Sequence, residues 1–335
     1  MEILVLPLLS FALAAVPLDS ASPEATEATD ALPGDVDAPG ENDGADDQPV
    51  TGGSPASPGA WPDVAAIYFG REVGCTGVLV APDVVLTAGH CAEGITAVKL
   101  DTVDFEQGGE RIAARKVVAY PKWARTYDLA LVFLEHASTV EPRVIAQSCA
   151  LDEWLDVGAS VAVVGYGATD KRGEVYGTRL NEGYTEVQDP DCTDLDRGCN
   201  ERVSPAGELG AGGGGVDACF GDSGGPLYLV TDDGAYLVGI TSRGYGDARL
   251  PCSEGGIYTR PDAAIDWIED QIGHELPAPA CDDLGQADGS GGVEGAITSM
   301  SYEVGVCGLP VEAGWVPALA GALVGLRRRA LRPPR

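Results

Sequence analysis

Positive charge is scarce in this chain: 21 Lys and Arg stand against 52 Asp and Glu, a formal net charge of −31 over 335 residues. So strong a negative field repels a phosphate backbone and excludes nucleic acid as a partner. The acidity itself reads as a solubility feature. Aromatic residues are few, at 6%, while Gly numbers 46, which suits short strands and many turns better than long helices. No apolar run reaches the roughly 20 residues that cross a bilayer comfortably. No cysteines pair at zinc-type spacing, and Asp104, Glu106 and Glu110 are too loosely spaced for a calcium loop, so neither metal nor cofactor is expected. Before Arg71 there is no Lys or Arg at all.

What is present divides the chain. Residues 1–17 form an apolar leader, Ile3 to Val16, with Ala12-Leu13-Ala14 as a cleavage site; it reads as a secretory signal, although Glu2 stands where a basic residue is usual. Residues 18–49 are rich in Asp, Glu, Pro, Ala and Gly, too poor in apolar surface to offset the entropy of ordering, and read as an acidic disordered propeptide. Residues 276–310 are a Gly-rich acidic linker. Residues 311–335 hold the run Trp315 to Leu326 followed by Arg327-Arg328-Arg329. This end resembles bacterial C-terminal sorting tails, with Cys307-Gly308 just upstream, and implies transient membrane contact. Together with nine cysteines, these features place the protein outside the cell or in its envelope.

Between the ends, residues 50–275 are short apolar runs broken by Gly, Pro and Asp. Val78–Val80, Val84–Leu86, Val117–Tyr120, Leu129–Leu134, Val161–Val164, Leu227–Val230 and Tyr236–Ile240 read as strands. Only Ala263–Ile272 carries a helical repeat, through Ile265, Ile268 and Ile272. The composition points to an all-β protein, a sandwich or a pair of barrels. Within it, Gly221-Asp222-Ser223-Gly224-Gly225-Pro226 sets one serine among small residues, Thr87-Ala88-Gly89-His90-Cys91 supplies a base, and Asp128 heads an apolar run. A serine hydroxyl is a weak nucleophile until a base takes its proton and a third group orients that base. The order His90, Asp128, Ser223 is that of one of the known serine triads. His136 and His274 carry no motif and read as surface residues.

With these motifs, Val50-Thr51-Gly52-Gly53, Pro58-Gly59-Ala60-Trp61-Pro62, Val164-Gly165-Tyr166-Gly167 and Gly256-Ile257-Tyr258-Thr259 follow in register. The span from Val50 to about Ile272 resembles a trypsin-like member of the chymotrypsin family of serine proteases. That resemblance implies two packed six-stranded antiparallel β-barrels with a C-terminal helix and an active site in the cleft between them. It implies His90, Asp128 and Ser223 as the catalytic triad and the N–H groups of Gly221 and Ser223 as the oxyanion hole. Asp217, Ser242, Gly244 and Gly256 would bind substrate, the carboxylate of Asp217 selecting Arg or Lys at the cleaved bond. Protein and peptide substrates with Arg or Lys are the expected partners of a monomeric enzyme. A catalytically silent homologue acting as an envelope-associated binding protein is the alternative.

Two departures stand out. Arg243 occupies a position where the family usually has tryptophan, which would alter the apolar shelf beside the pocket and favour acidic residues upstream of the cleaved bond. Activation by family rule frees the amino group of Val50 to pair with Asp222, yet the bond to be cut follows Pro49, so an activating protease of different specificity is required. The resemblance also pairs Cys75 with Cys91 and Cys219 with Cys252. Cys192 and Cys199 could pair locally and Cys149 with Cys281, leaving Cys307 single; a Cys281–Cys307 bridge is the other possibility.

Overall fold

The computed structural model describes residues 50–279 except 148 and 233, with only the backbone of Cys149. The leader, the acidic segment, the linker beyond residue 279 and the C-terminal tail lie outside the described residues.

Six strands close the first barrel: β2 (Val64–Phe69), β3 (Glu72–Ala81), β4 (Val84–Thr87), β5 (Ala97–Leu100), β6 (Glu110–Ala119) and β7 (Ala130–Leu134), in the order β2-β3-β4-β7-β6-β5. The second holds β8 (Ser160–Gly165), β9 (Asn181–Asp189), β10 (Glu208–Ala211), β11 (Pro226–Thr231), β12 (Gly234–Gly244) and β13 (Gly256–Thr259). It runs β9-β10-β13-β12-β11-β8 and closes through the β8–β9 pairing, while β1 (Ser54–Pro55) adds to the edge of β9. All pairings between strands are antiparallel, so this is the expected chymotrypsin-like architecture. The apolar runs β2, β7 and β8 are buried along nearly their whole length, whereas β6 turns Arg111, Arg115 and Lys116 outward and buries Ile112.

Two α-helices are present among the described residues. The expected C-terminal one, α2 (Ile265–Ile272), buries Ile268 and stops at Gly273, whose φ of +91° suits a residue without Cβ. The six-residue α1 (Cys149–Trp154) is too short for its sequence to display a 3.6-residue repeat. No helix among the described residues is long and apolar enough to cross a membrane.

The barrels share one continuous core, in which Leu79, Leu86 and Leu131 of the first meet Val164, Tyr228 and Ile240 of the second. Its polar centre is a charge cluster. Trp61 stacks on Tyr228 at 4.7 Å between ring centroids, and the Tyr228 hydroxyl donates to Asp63 at 2.6 Å. Arg143, in the segment between barrels, donates to both Asp63 oxygens at 2.6 and 3.0 Å, and its guanidinium lies 4.8 Å from the Tyr228 ring centroid. The Trp61 indole N–H donates to Glu182 of β9. Residues from both barrels thus meet on one buried carboxylate. Asp63→Asn preserves shape but removes the charge opposite Arg143, and is expected to cost about 3 kcal/mol of unfolding free energy. Urea denaturation at neutral pH measures it; a loss below ~0.5 kcal/mol would show that the cluster does not hold the barrels together.

Candidate active site

His90 lies on a short 3-10 turn, Gly89–Cys91, directly after β4, and the Cys75–Cys91 disulfide ties that turn to β3. Asp128 lies two residues before β7, which pairs with β4, so the two side chains emerge at the same barrel end. Asp128 accepts the backbone N–H of His90 at 2.9 Å through Oδ1, and its Oδ2 lies 2.8 Å from His90 Nδ1. A carboxylate can only accept here, so Nδ1 carries the proton and Nε2 is left able to take one.

Ser223 comes from the second barrel, on the bend before β11. Thr76 of β3 fastens that bend to the first barrel: its N–H donates to Ser223 O at 2.9 Å and its hydroxyl to Gly221 O at 2.9 Å. The contact is close enough that a Cβ on Gly224, at φ +80°, would fall 2.0 Å from Thr87 Oγ1. Gly221 has φ +96°, a conformation that side chains rarely adopt. Among the described residues the N–H groups of Gly221 and Ser223 donate to no protein acceptor, whereas the N–H of Asp222 between them donates to Cys219 O at 3.0 Å. Two free donors, one of them the serine's own N–H, therefore lie on this bend.

Five acidic residues are buried among those described: Asp63, Asp128, Glu208, Asp217 and Asp222. Three face a cation or a base. Asp63 faces Arg143, Asp128 faces His90, and Glu208 makes a two-pronged pair with Arg243 at 2.9 Å on each side. Burial alone would raise Asp128, but the hydrogen bond and charge of His90, with the Ser242 hydroxyl donating at 2.7 Å, hold it below the usual carboxylate range. The other two carboxylates are answered only by backbone N–H groups. Asp217 accepts from Ala218, Ser253 and Gly255 at 2.8, 3.0 and 2.8 Å; burial pushes it up to about 6 against these bonds. Asp222, fully buried, accepts from Gly167 and Cys219 at 2.8 and 2.9 Å and is pushed up to about 7, first by burial and further by the charge of Asp217.

A cavity of about 320 Å³ is lined by Asp217 together with His90, Ser223, Gly244 and Gly256, with the exposed ring of Phe220 also on its wall. A Cβ on Gly256 would lie 3.0 Å from Arg243 O and 3.7 Å from Asp217 Oδ1, inside that space. Cys219 is bonded to Cys252, and Cys192 to Cys199. The Cys149 side chain, Cys281 and Cys307 lie outside the described residues. Val50 is buried in the second barrel's core at φ +36°, an unfavourable conformation for a β-branched residue. His136 and His274 are exposed, and Asp104 and Glu110 are engaged by Gln107 and Ser138.

Two participants carry no signal in a linear reading. Thr76 is one residue of a β-run, and Glu208 opens a short strand. Ser242 lines the cavity, but its hydroxyl points to Asp128, and because it also accepts from Arg243 Nη1 at 3.1 Å its single proton must go to that carboxylate. Arg243 itself is engaged by buried Glu208 and by Gly198 O at 2.8 Å. Its charge is thus not free to attract an acidic substrate residue, which corrects the expectation drawn from the sequence.

Comparison with known proteins agrees with this fold. The trypsin family model matches residues 50–268, well over half of the chain. Human serine protease 56 is 32% identical over 251 residues, covering 70% of this chain and 41% of the relative. The Drosophila melanogaster serine proteinase stubble is 30% identical over 248 residues, covering 67% and 31%. The chain thus spans less than half the length of these curated relatives. Among solved structures, neuropsin, a serine protease of mouse brain, superposes with a TM-score of 0.55 at 25% identity, over 66% of this chain and 98% of that one. The chain belongs to the trypsin family of serine proteases.

Proposed function

We propose that the protein is an exported endopeptidase that hydrolyses peptide bonds after Arg or Lys and is made as an inactive precursor. One observation carries the specificity: Asp217 is buried, has no cationic partner among the described residues, and lines the same cavity as His90 and Ser223. A guanidinium or ammonium entering there answers the carboxylate, while an apolar occupant leaves a buried charge unpaired. Ala218 beside it offers no hydroxyl to a lysine ammonium, so Arg is the preferred residue. The three disulfides among the described residues fit an oxidising compartment and so support export.

In this reading His90 Nε2 takes the Ser223 proton as Oγ attacks the scissile carbonyl, and the oxygen that becomes negative meets the N–H groups of Gly221 and Ser223. The tetrahedral species expels the amine, which receives the proton from His90. Water then repeats the sequence on the acyl-enzyme. Asp128 stays ionised throughout, held by His90 and Ser242. A silent binding homologue would call for a broken triad or a filled pocket, and nothing in the site favours it.

Activation rests on Asp222. Cleavage before Val50 would free an ammonium able to pair with this carboxylate and would release the backbone constraint at Val50. No basic residue precedes Arg71, so the cut falls to a protease of another specificity.

Two measurements test this reading. Protein processed at Val50 is expected to be labelled at Ser223 by a fluorophosphonate and to cleave arginyl and lysyl peptides. Asp128→Asn should lower kcat about 10⁴-fold, and Asp217→Ser should remove the preference for basic residues while labelling persists. Absence of labelling sinks the enzyme reading, and labelling without cleavage after basic residues rejects the role of Asp217. The second measurement compares the stability of cut and uncut Ser223→Ala protein from pH 5 to pH 8. A carboxyl raised from its ordinary value to about 7 stabilises the fold below its unfolded pKa, and that contribution is lost as pH rises through 7. The uncut form is expected to lose about 2–3 kcal/mol more than the cut form over this range. Equal slopes in urea denaturation would refute the pairing of Val50 with Asp222.

A further inference from the structure

A second cavity of about 560 Å³ adjoins the first through His90, Ser242 and Arg243. One rim is the 3-10 turn Trp123–Arg125 with Thr126, and the other is the loop from Gly198 to Arg202. The site is built and not a gap between loose loops. Asn200 Nδ2 reaches across to Thr126 O at 3.1 Å, the Asn200 N–H donates to Glu208 at 2.8 Å, and the Cys192–Cys199 disulfide staples the second rim.

Its charges do not balance. Among the cavity's ionisable residues, Glu208 is taken by Arg243, and Asp128 by His90 and Ser242. That leaves Arg125 and Arg202, both exposed and neither in an ion pair among the described residues. Two unanswered guanidiniums facing one recess are unusual in a chain of net charge −31. Because His90, Ser242 and Arg243 line both cavities, a peptide with its basic side chain on Asp217 and its scissile carbonyl at Ser223 has this recess beside its neighbouring residues.

We propose that this cavity recognises Asp or Glu side chains on the substrate, two to four residues before the cleaved bond, through Arg125 and Arg202. The preferred substrate is then an acidic stretch ending in Arg or Lys. The inference rests on the protease reading above and adds its sequence preference. Guanidinium forks match carboxylate geometry, and opposite charge around a cleft raises encounter rates most at low salt.

The test uses the full chain cut at Val50 and pairs of fluorogenic arginyl peptides that differ only by Glu or Gln at each of those three upstream positions. In 50 mM salt, kcat/KM is expected to favour Glu about three- to tenfold at one or more of them. The ratio should fall towards one in about 1 M NaCl, and also in the Arg125→Gln/Arg202→Gln double variant, with fluorophosphonate labelling of Ser223 reporting that the variant is folded. The salt series on the unmodified protein stands alone if the variant does not fold. Cleavage with Glu and Gln equal, or a Glu preference that survives high salt, overturns this proposal and leaves the protease reading intact. Neither labelling nor cleavage of any peptide overturns both.

Discussion

A carboxylate taken out of water needs an answer, and the arrangement of this protein follows from how its buried acids are answered. Arg143 answers Asp63 and thereby joins the barrels, and Arg243 answers Glu208 and shapes the rim of the cleft. His90 and Ser242 answer Asp128 and fix the tautomer of the imidazole. Among the described residues Asp217 and Asp222 have only backbone N–H groups, and both are raised by burial. The two incompletely answered charges are the ones to which the proposed function assigns a mobile partner: a substrate cation for Asp217 and the Val50 ammonium for Asp222. The fold supports the scaffold with permanent pairs and leaves two sites where binding or cleavage can supply the missing charge.

The second constraint is the close approach of the barrels around Ser223. His90 and Asp128 belong to the first barrel, Ser223, Asp217 and Asp222 to the second, so the site exists only while the interface keeps its register. Thr76 bridges the boundary with its N–H and hydroxyl, and Gly224 allows the backbones to meet where a single Cβ would collide with Thr87. Small residues in the serine segment therefore serve packing as much as chemistry. The disulfide at Cys91 and the bond from Asp128 to the His90 backbone hold the base from the other side.

Legibility in the sequence followed the range of the interaction. Local signals were readable: the apolar runs β4, β7, β8 and β11, the helix through Ile265, Ile268 and Ile272, and the short segments around His90, Asp128 and Ser223. Strand β9, which mixes Glu, Gly, Tyr and Thr, was not, because its role is to link β1, β8 and β10 instead of filling one core face. Helix α1 was too short to show a period. The partners Arg143 with Asp63 and Arg243 with Glu208 are 80 and 35 residues apart, and no spacing rule reaches so far.

The resemblance carried by the order and spacing of the motifs determined the family and the barrel pair, and it supplied the residues that the proposed function takes as nucleophile, base and specificity carboxylate. These depend on residue identity within short segments, where chemistry and turn geometry constrain the choice. Which charges are free was decided only by tertiary structure. The sequence offered Arg243 as an attractant for acidic substrates; folding brought Glu208 onto it and left Arg125 and Arg202 without an acidic partner among the described residues. Whether a charge is available depends on every group that packs against it, and that set is assembled only when distant segments meet.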